Sequence, residues 1–165
     1  MRLMPLPQRQ LKCGQHLLDL SQPQVMGILN VTPDSFSDGG QYHQKQQAYE
    51  HAMQMIADGA SIIDIGGEST RPGASPVEVE EEIRRVVPVV ELLAKQDVIL
   101  SIDSSQPHVI RAAVEAGAHI WNDVRALTRP QALETAAELN VPVIVMHLSL
   151  IHISEPTRPY WISYA

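Results

Sequence analysis

Ser61-Ile62-Ile63-Asp64-Ile65-Gly66-Gly67 is the stretch on which the fold turns. It is short, apolar on both alternating faces, and stopped by two glycines. It follows a helix-like segment, residues 45–58, that places Ala48, Ala52, Met55 and Ile56 on one face and ends at Gly59. A strand with apolar residues on both faces, entered from an amphipathic helix, reads as a buried parallel strand. Four further runs share its character: residues 25–31, 98–103, 119–124 and 141–147. Helical patterns fill the gaps. Ser75-Pro76-Val77-Glu78 reads as a capping box with proline at the first helical position, opening a helix to about Lys95 that Pro88 should kink. Residues 107–116 stop at Gly117, and residues 131–139 precede the last strand. The alternation predicts an α/β fold with a parallel sheet. The turns around Gly59 and Gly117 echo each other, as two helix-to-strand joints with the same geometry would.

Composition excludes several classes of function. The chain has 165 residues, 44% hydrophobic and 19% charged, which is a globular composition. Its net charge of −7 argues against sequence-independent nucleic-acid binding. No apolar run is long enough to span a membrane, and no signal-peptide layout opens the chain, so a cytoplasmic location is expected. The single cysteine, Cys13, rules out an internal disulfide and reads as a small buried hydrophobe. No histidine pair has zinc-enzyme spacing. His16, His43, His51 and His108 read as surface residues. Glu78 to Glu82 read as the acidic first turn of a helix, and Trp121 as barrel or helix packing.

The functional signal lies at the strand ends, which carry Asn30, Asp64, Asp103, Asn122 and His147. In α/β barrels and open sheets that edge lines the active site. The loops after the first two strands are long and dense in Gly, Pro and hydroxyls, which suits lids or clamps. Phe36 lies in the first, and Arg71 in the second could fork onto a phosphate or carboxylate.

Met26-Gly27-Ile28-Leu29-Asn30-Val31-Thr32-Pro33-Asp34-Ser35-Phe36-Ser37-Asp38-Gly39-Gly40 resembles the first signature of the dihydropteroate synthase family. Asp64-Ile65-Gly66-Gly67-Glu68-Ser69-Thr70-Arg71-Pro72-Gly73 resembles the second, and Ser101-Ile102-Asp103, Asn122-Asp123 and Met146-His147 fit the later strand ends. The resemblance covers residues 12–147. It implies a TIM (β/α)8 barrel of which about the first five β/α units are present. The expected division is a 1–24 segment forming a short β-hairpin, a partial pterin-binding barrel over 25–147, and an unrelated-looking tail over 148–165. Within that tail, residues 150–160 resemble translated adaptor sequence.

The implied activity joins a dihydropterin pyrophosphate to para-aminobenzoate, releases pyrophosphate, and uses Mg²⁺. The family belongs to folate biosynthesis and is the target of sulfonamides. Asn30 would hold the Mg²⁺–pyrophosphate, a neutral oxygen suiting a hard cation. Thr70 and Arg71 would meet the pyrophosphate and aminobenzoate. Asp103 and Asn122 would read the edge of the pterin, Met146 would pack on its ring, and Phe36 would help close the first loop. Asn30, Arg71 and Asp103 are the implied catalytic set. Asp64 reads as a contact or as a group that orients the site. A homodimer is implied for the full-length family.

Two departures qualify the match. Asp103-Ser104-Ser105-Gln106 stands where the family has Asp-Thr-x-Lys or Arg, so a charge is replaced by Gln106. Five strands also cannot close an eight-stranded barrel, so the chain by itself is expected to be inactive and prone to aggregate. The alternatives are a pterin-dependent methyltransferase relative, against which the Thr-Pro-Asp-Ser-Phe loop argues, and a non-catalytic fragment.

Overall fold

The computed structural model describes residues 9–32, 40–68 and 77–146, with side chains of the first helix described from residue 43. Two strands come first: β1 (Gln10–Cys13) and β2 (His16–Asp19), an antiparallel hairpin in which Cys13 faces His16. Gly14 takes the first turn position with φ +61°, a conformation glycine adopts without penalty. Five parallel strands follow in simple order: β3 (Met26–Asn30), β4 (Ile62–Gly66), β5 (Ile99–Asp103), β6 (Ile120–Asp123) and β7 (Val143–Val145). The helices α1 (Gly40–Ala57), α2 (Val79–Leu93), α3 (Pro107–Glu115) and α4 (Ala132–Leu139) alternate with them. Each run read as a strand contains one, and the chain has the β/α order of a barrel wall.

Strand alternation divides the apolar residues between two clusters. Leu29, Ile63, Ile65, Leu100, Ile102 and Trp121 point to the helical layer and pack on Ala48, Ala52, Val86, Val90, Leu93 and Ile110. The opposite, inner face is apolar at Ile28 and Ile144 on the two edge strands and near the strand starts. There Ile62, Ile99 and Ile120 pack against Cys13 and Leu18 of the hairpin. The hairpin therefore covers the end of the sheet opposite the strand exits, and Cys13 is buried as a small apolar group.

Local details differ from the sequence reading at three places. Helix α2 begins at Val79 with Glu78 as an extended N-cap that makes no side-chain cap, so Pro76 is not its first residue. Ser75 and Pro76 lie outside the described residues. Glu82 is not a solvated acid of a helix start. It lies on the same face as Val86, Val89, Val90 and Leu93 and is fully buried. His16 is not a free surface residue either. Its ring meets His119 edge-on at 4.8 Å, and its Nδ1 lies 3.5 Å from Asp97 Oδ1.

Candidate active site at the strand exits

One cross-strand row gathers the predicted residues. Asn30 pairs in register with Gly66, Gly66 with Asp103, Asp103 with Asn122, and Asn122 with Ile144. Directly paired residues share a face of the sheet. Three residues far apart in sequence thus stand side by side on the inner face, at the C-terminal ends of their strands. Gly66 leaves a gap in the row. A Cβ there would sit in van der Waals contact, 3.6 Å from Asn30 Oδ1 and 3.7 Å from Asp103 Oδ2, so an amide oxygen and a carboxylate oxygen both approach Gly66.

The row beneath holds Ile28, Asp64, Ser101 and Ile120. Asp64 is buried, and its Oδ2 accepts a 2.9 Å hydrogen bond from Asn122 Nδ2. Its Oδ1 has no hydrogen-bond partner among the described residues. Of the two roles open to Asp64, orientation is visible: it fixes the Asn122 amide, whose oxygen remains available as an acceptor.

Electrostatics set Asp103 apart. Burial, then the charges of Asp64, Asp123 and Glu68, push its carboxyl up to about 6. It is therefore mostly an anion at neutral pH and becomes a neutral donor in mild acid. A carboxyl perturbed by burial and like charges at a strand exit is typical of a functional position.

The turn after β5 is rigidly held. Ser104 Oγ accepts from the Gln106 backbone N–H at 3.1 Å, Gln106 is the extended N-cap of α3, and Pro107 begins the helix. The Trp121 indole N–H donates to the Ser104 carbonyl at 2.7 Å, which settles its role as packing toward the helices. Ser105 Oγ donates to Asp123 Oδ1, and the carboxylate of Asp123 also accepts the backbone N–H groups of Arg125 and Leu127 at 2.9 and 2.7 Å. Asp123 is thereby committed to the loop after β6. The hydroxyl retained at Ser104 has a structural partner, while Gln106 contributes backbone rather than charge.

Met146 lies just past β7 and is exposed, two residues beyond Ile144 and so on the same side by alternation. Phe36, Thr70, Arg71 and His147 lie outside the described residues. Glu82 was hidden from the sequence reading because it stands in an acidic run. Its spacing to Val86 and Val89 was the available signal.

Comparison with known proteins follows this geometry. The family described as "Pterin binding enzyme" matches residues 26–159, running into the 148–165 stretch. The dihydropteroate synthase of Escherichia coli (strain K12) is 60% identical over 132 residues, covering 79% of this chain and 47% of that protein. A solved Xanthomonas albilineans dihydropteroate synthase with 4-aminobenzoic acid superposes with a TM-score of 0.81 at 53% identity, over 86% of this chain and 53% of that one. Another structure of the enzyme from that organism, in complex with 7,8-dihydropteroate, gives 0.76 at 49% identity over 85% and 51%. The chain spans about half the length of the curated relatives it matches. By its family match, its strand-exit row and its similarity to these enzymes, the chain belongs to the pterin-binding enzyme family and over most of its length matches the dihydropteroate synthases.

Proposed function

We propose that this chain carries the pterin-side portion of a dihydropteroate synthase site. In that reaction the amine of para-aminobenzoate forms a C–N bond at the pterin's methylene carbon. The C–O bond to pyrophosphate breaks, and pyrophosphate leaves. The observation that carries the reading is the row Asn30–Gly66–Asp103–Asn122, in which an acceptor carboxylate and an oriented amide stand side by side. A pterin edge presents adjacent N–H donors and acceptors, and such a pair can read it as side chains read base edges. Asp103 must be ionised to accept from the ring, so pterin affinity should fall as pH drops through about 6.

The donor set suits Mg²⁺, which keeps most of its waters and asks for only one or two protein oxygens. Asn30, whose Oδ1 approaches Gly66, would hold the ion. When bound, Mg²⁺ would neutralise charge on the departing pyrophosphate. Thr70 and Arg71 are assigned to the anion and aminobenzoate, Met146 to the ring and Phe36 to loop closure, on the strength of the matched signatures.

The test is binding of a pterin, followed by its intrinsic fluorescence, to the chain and to Asp103→Ala and Asn122→Ala. Deleting one partner of a hydrogen bond in a built site costs roughly 1–3 kcal/mol, or about 5- to 150-fold in affinity. Unchanged affinity in both variants would place the pterin elsewhere. Pyrophosphate binding that ignores EDTA and Asn30→Ala would remove the metal from the reading.

A further inference from the structure

Glu82 is unused by the site as described, yet it lies directly behind it. Its side chain has 0% exposure, and among the described residues neither carboxylate oxygen meets a partner in good hydrogen-bonding geometry. It is wedged against the exit of β4. A Cβ on Gly67 would come within 2.9 Å of Glu82 Cγ and 3.3 Å of its carbonyl oxygen. One turn along α2, Arg85 donates to the Gly67 carbonyl at 3.0 Å and pairs with Glu81 at 2.9 Å, so the helix grips the same turn twice. On its other side Glu82 faces the exit of β5, where the Ser104 hydroxyl and Asp103 influence it. One buried carboxyl therefore touches or faces the exits of both central strands of the site.

We propose that Glu82 is a positioning residue whose buried carboxyl side chain holds the exits of β4 and β5 at the spacing that sets Glu68 and Asp103 around the strand-exit row.

The charges around it explain why the neutral form matters. Burial is the largest influence and raises its pKa; Ser104 and Arg85 oppose the rise, while Glu68 and Asp103 reinforce it, leaving the group at about 7. Once ionised, Glu82 puts a fully buried anion near two other acids, with the Ser104 hydroxyl as its one nearby donor among the described residues apart from the charge of Arg85. Relief comes by moving the turn at Gly67 and Glu68 outward, because α2 is anchored in the core through Val86, Val90 and Leu93. Protonation of one buried group is thereby linked to the width of the site. In Glu82→Gln the shape is kept and the charge is removed at every pH, whereas Glu82→Ala leaves a void beneath Gly67.

The test uses the whole chain and two readouts. The first, independent of any ligand, is amide hydrogen exchange at residues 66–68 and 104–106 in wild type, Glu82→Gln and Glu82→Ala. Comparing proteins at one pH cancels the intrinsic exchange rate. Wild type and Gln should exchange alike at pH 6, and wild type should be the faster at pH 8. Ala should be fast at both. The second readout rests on the pterin reading: the ratio of wild-type to Gln dissociation constants for 6-hydroxymethylpterin. Ionisation of the ligand cancels in that ratio. With about one molecule in eleven still neutral one pH unit above 7, the ratio should rise from about one at pH 6 towards tenfold at pH 8. Wild type and Gln indistinguishable in exchange at both pH values would reduce Glu82 to a space filler and overturn the proposal. So would Gln as loose as Ala at pH 6. A chain that binds no pterin but shows the pH-dependent exchange difference would sink the pterin reading while supporting the role of Glu82.

Discussion

Asn122→Ala tests the arrangement of the strand-exit row in the stability of the protein itself. The substitution removes the donor to Asp64 Oδ2, a 2.9 Å bond, and leaves a carboxyl group that is only 5% exposed. Its other oxygen has no partner among the described residues, so the variant leaves the group without that donor in a poorly hydrated place. Hydrogen bonds to charged groups contribute about 1.5–3 kcal/mol, and an orphaned buried polar atom costs a similar amount. A loss of about 2 kcal/mol is expected. With a urea m-value near 2 kcal/mol/M, the unfolding midpoint should fall by about 1 M. The assay is a urea double-mutant cycle with Asp64→Ala, because removing Asp64 also removes the group that Asn122 satisfies. A coupling energy of about 1 kcal/mol or more is expected. A value below about 0.3–0.5 kcal/mol, the ordinary error of additivity, would refute the pairing as an energetic unit.

Trp121→Phe deletes the indole N–H and leaves the buried Ser104 carbonyl without its donor, so about 1–3 kcal/mol should be lost in urea unfolding. His119 should make stability depend on pH. Its Nδ1 accepts the Leu100 N–H at 3.0 Å, and burial, then the neighbouring His16, hold its pKa below the ordinary 6.5. The unfolded chain therefore binds the proton more readily, so this contribution is complete above about 6.5 and fades as pH falls below it. His119→Gln should flatten that part of a melting-temperature profile, and Cys13, buried where the hairpin packs on the strand starts, should gain reactivity towards a dipyridyl disulfide in wild type relative to His119→Gln as pH falls from 7 to 5. Ile28 is 66% exposed on the inner face and Val145 55% exposed on β7, and apolar edges of this kind template association. Light scattering should show self-association that rises with concentration, and Ile28→Lys together with Val145→Lys should suppress it.

Much of this was legible in the sequence because the sheet is buried on its helical side. Each Val- and Ile-rich run could be nothing but a strand, and the polar residue closing it stood out against that background. Gly59 and Gly117, read as equivalent helix stops, do take similar positive φ values of +104° and +113°. What stayed hidden depends on contacts between distant segments. Glu82 looked like one more acid in a run from Glu80, and only the packing of α2 over β4 and β5 separates it from its neighbours. His16 gave no local sign that a hairpin would carry it to His119, more than a hundred residues away. The start of α2 was misplaced because a capping pattern states a preference, and tertiary packing decides where the first turn closes.

The placement of Asp64, Asp103 and Asn122 inward, between outward apolar residues of β4 to β6, also bears on how far this sequence can drift. Slipping β6 by one position against β5 would turn Trp121 inward and Asn122 toward the helices, so any alignment error in the chemistry is at once a burial error in the core. Core packing alone therefore fixes the placement of Asp103 and Asn122, whether or not a ligand is bound. Lineages can exchange one aliphatic residue for another on the helical side without disturbing recognition, whereas an insertion or deletion inside any of these strands removes fold and recognition together.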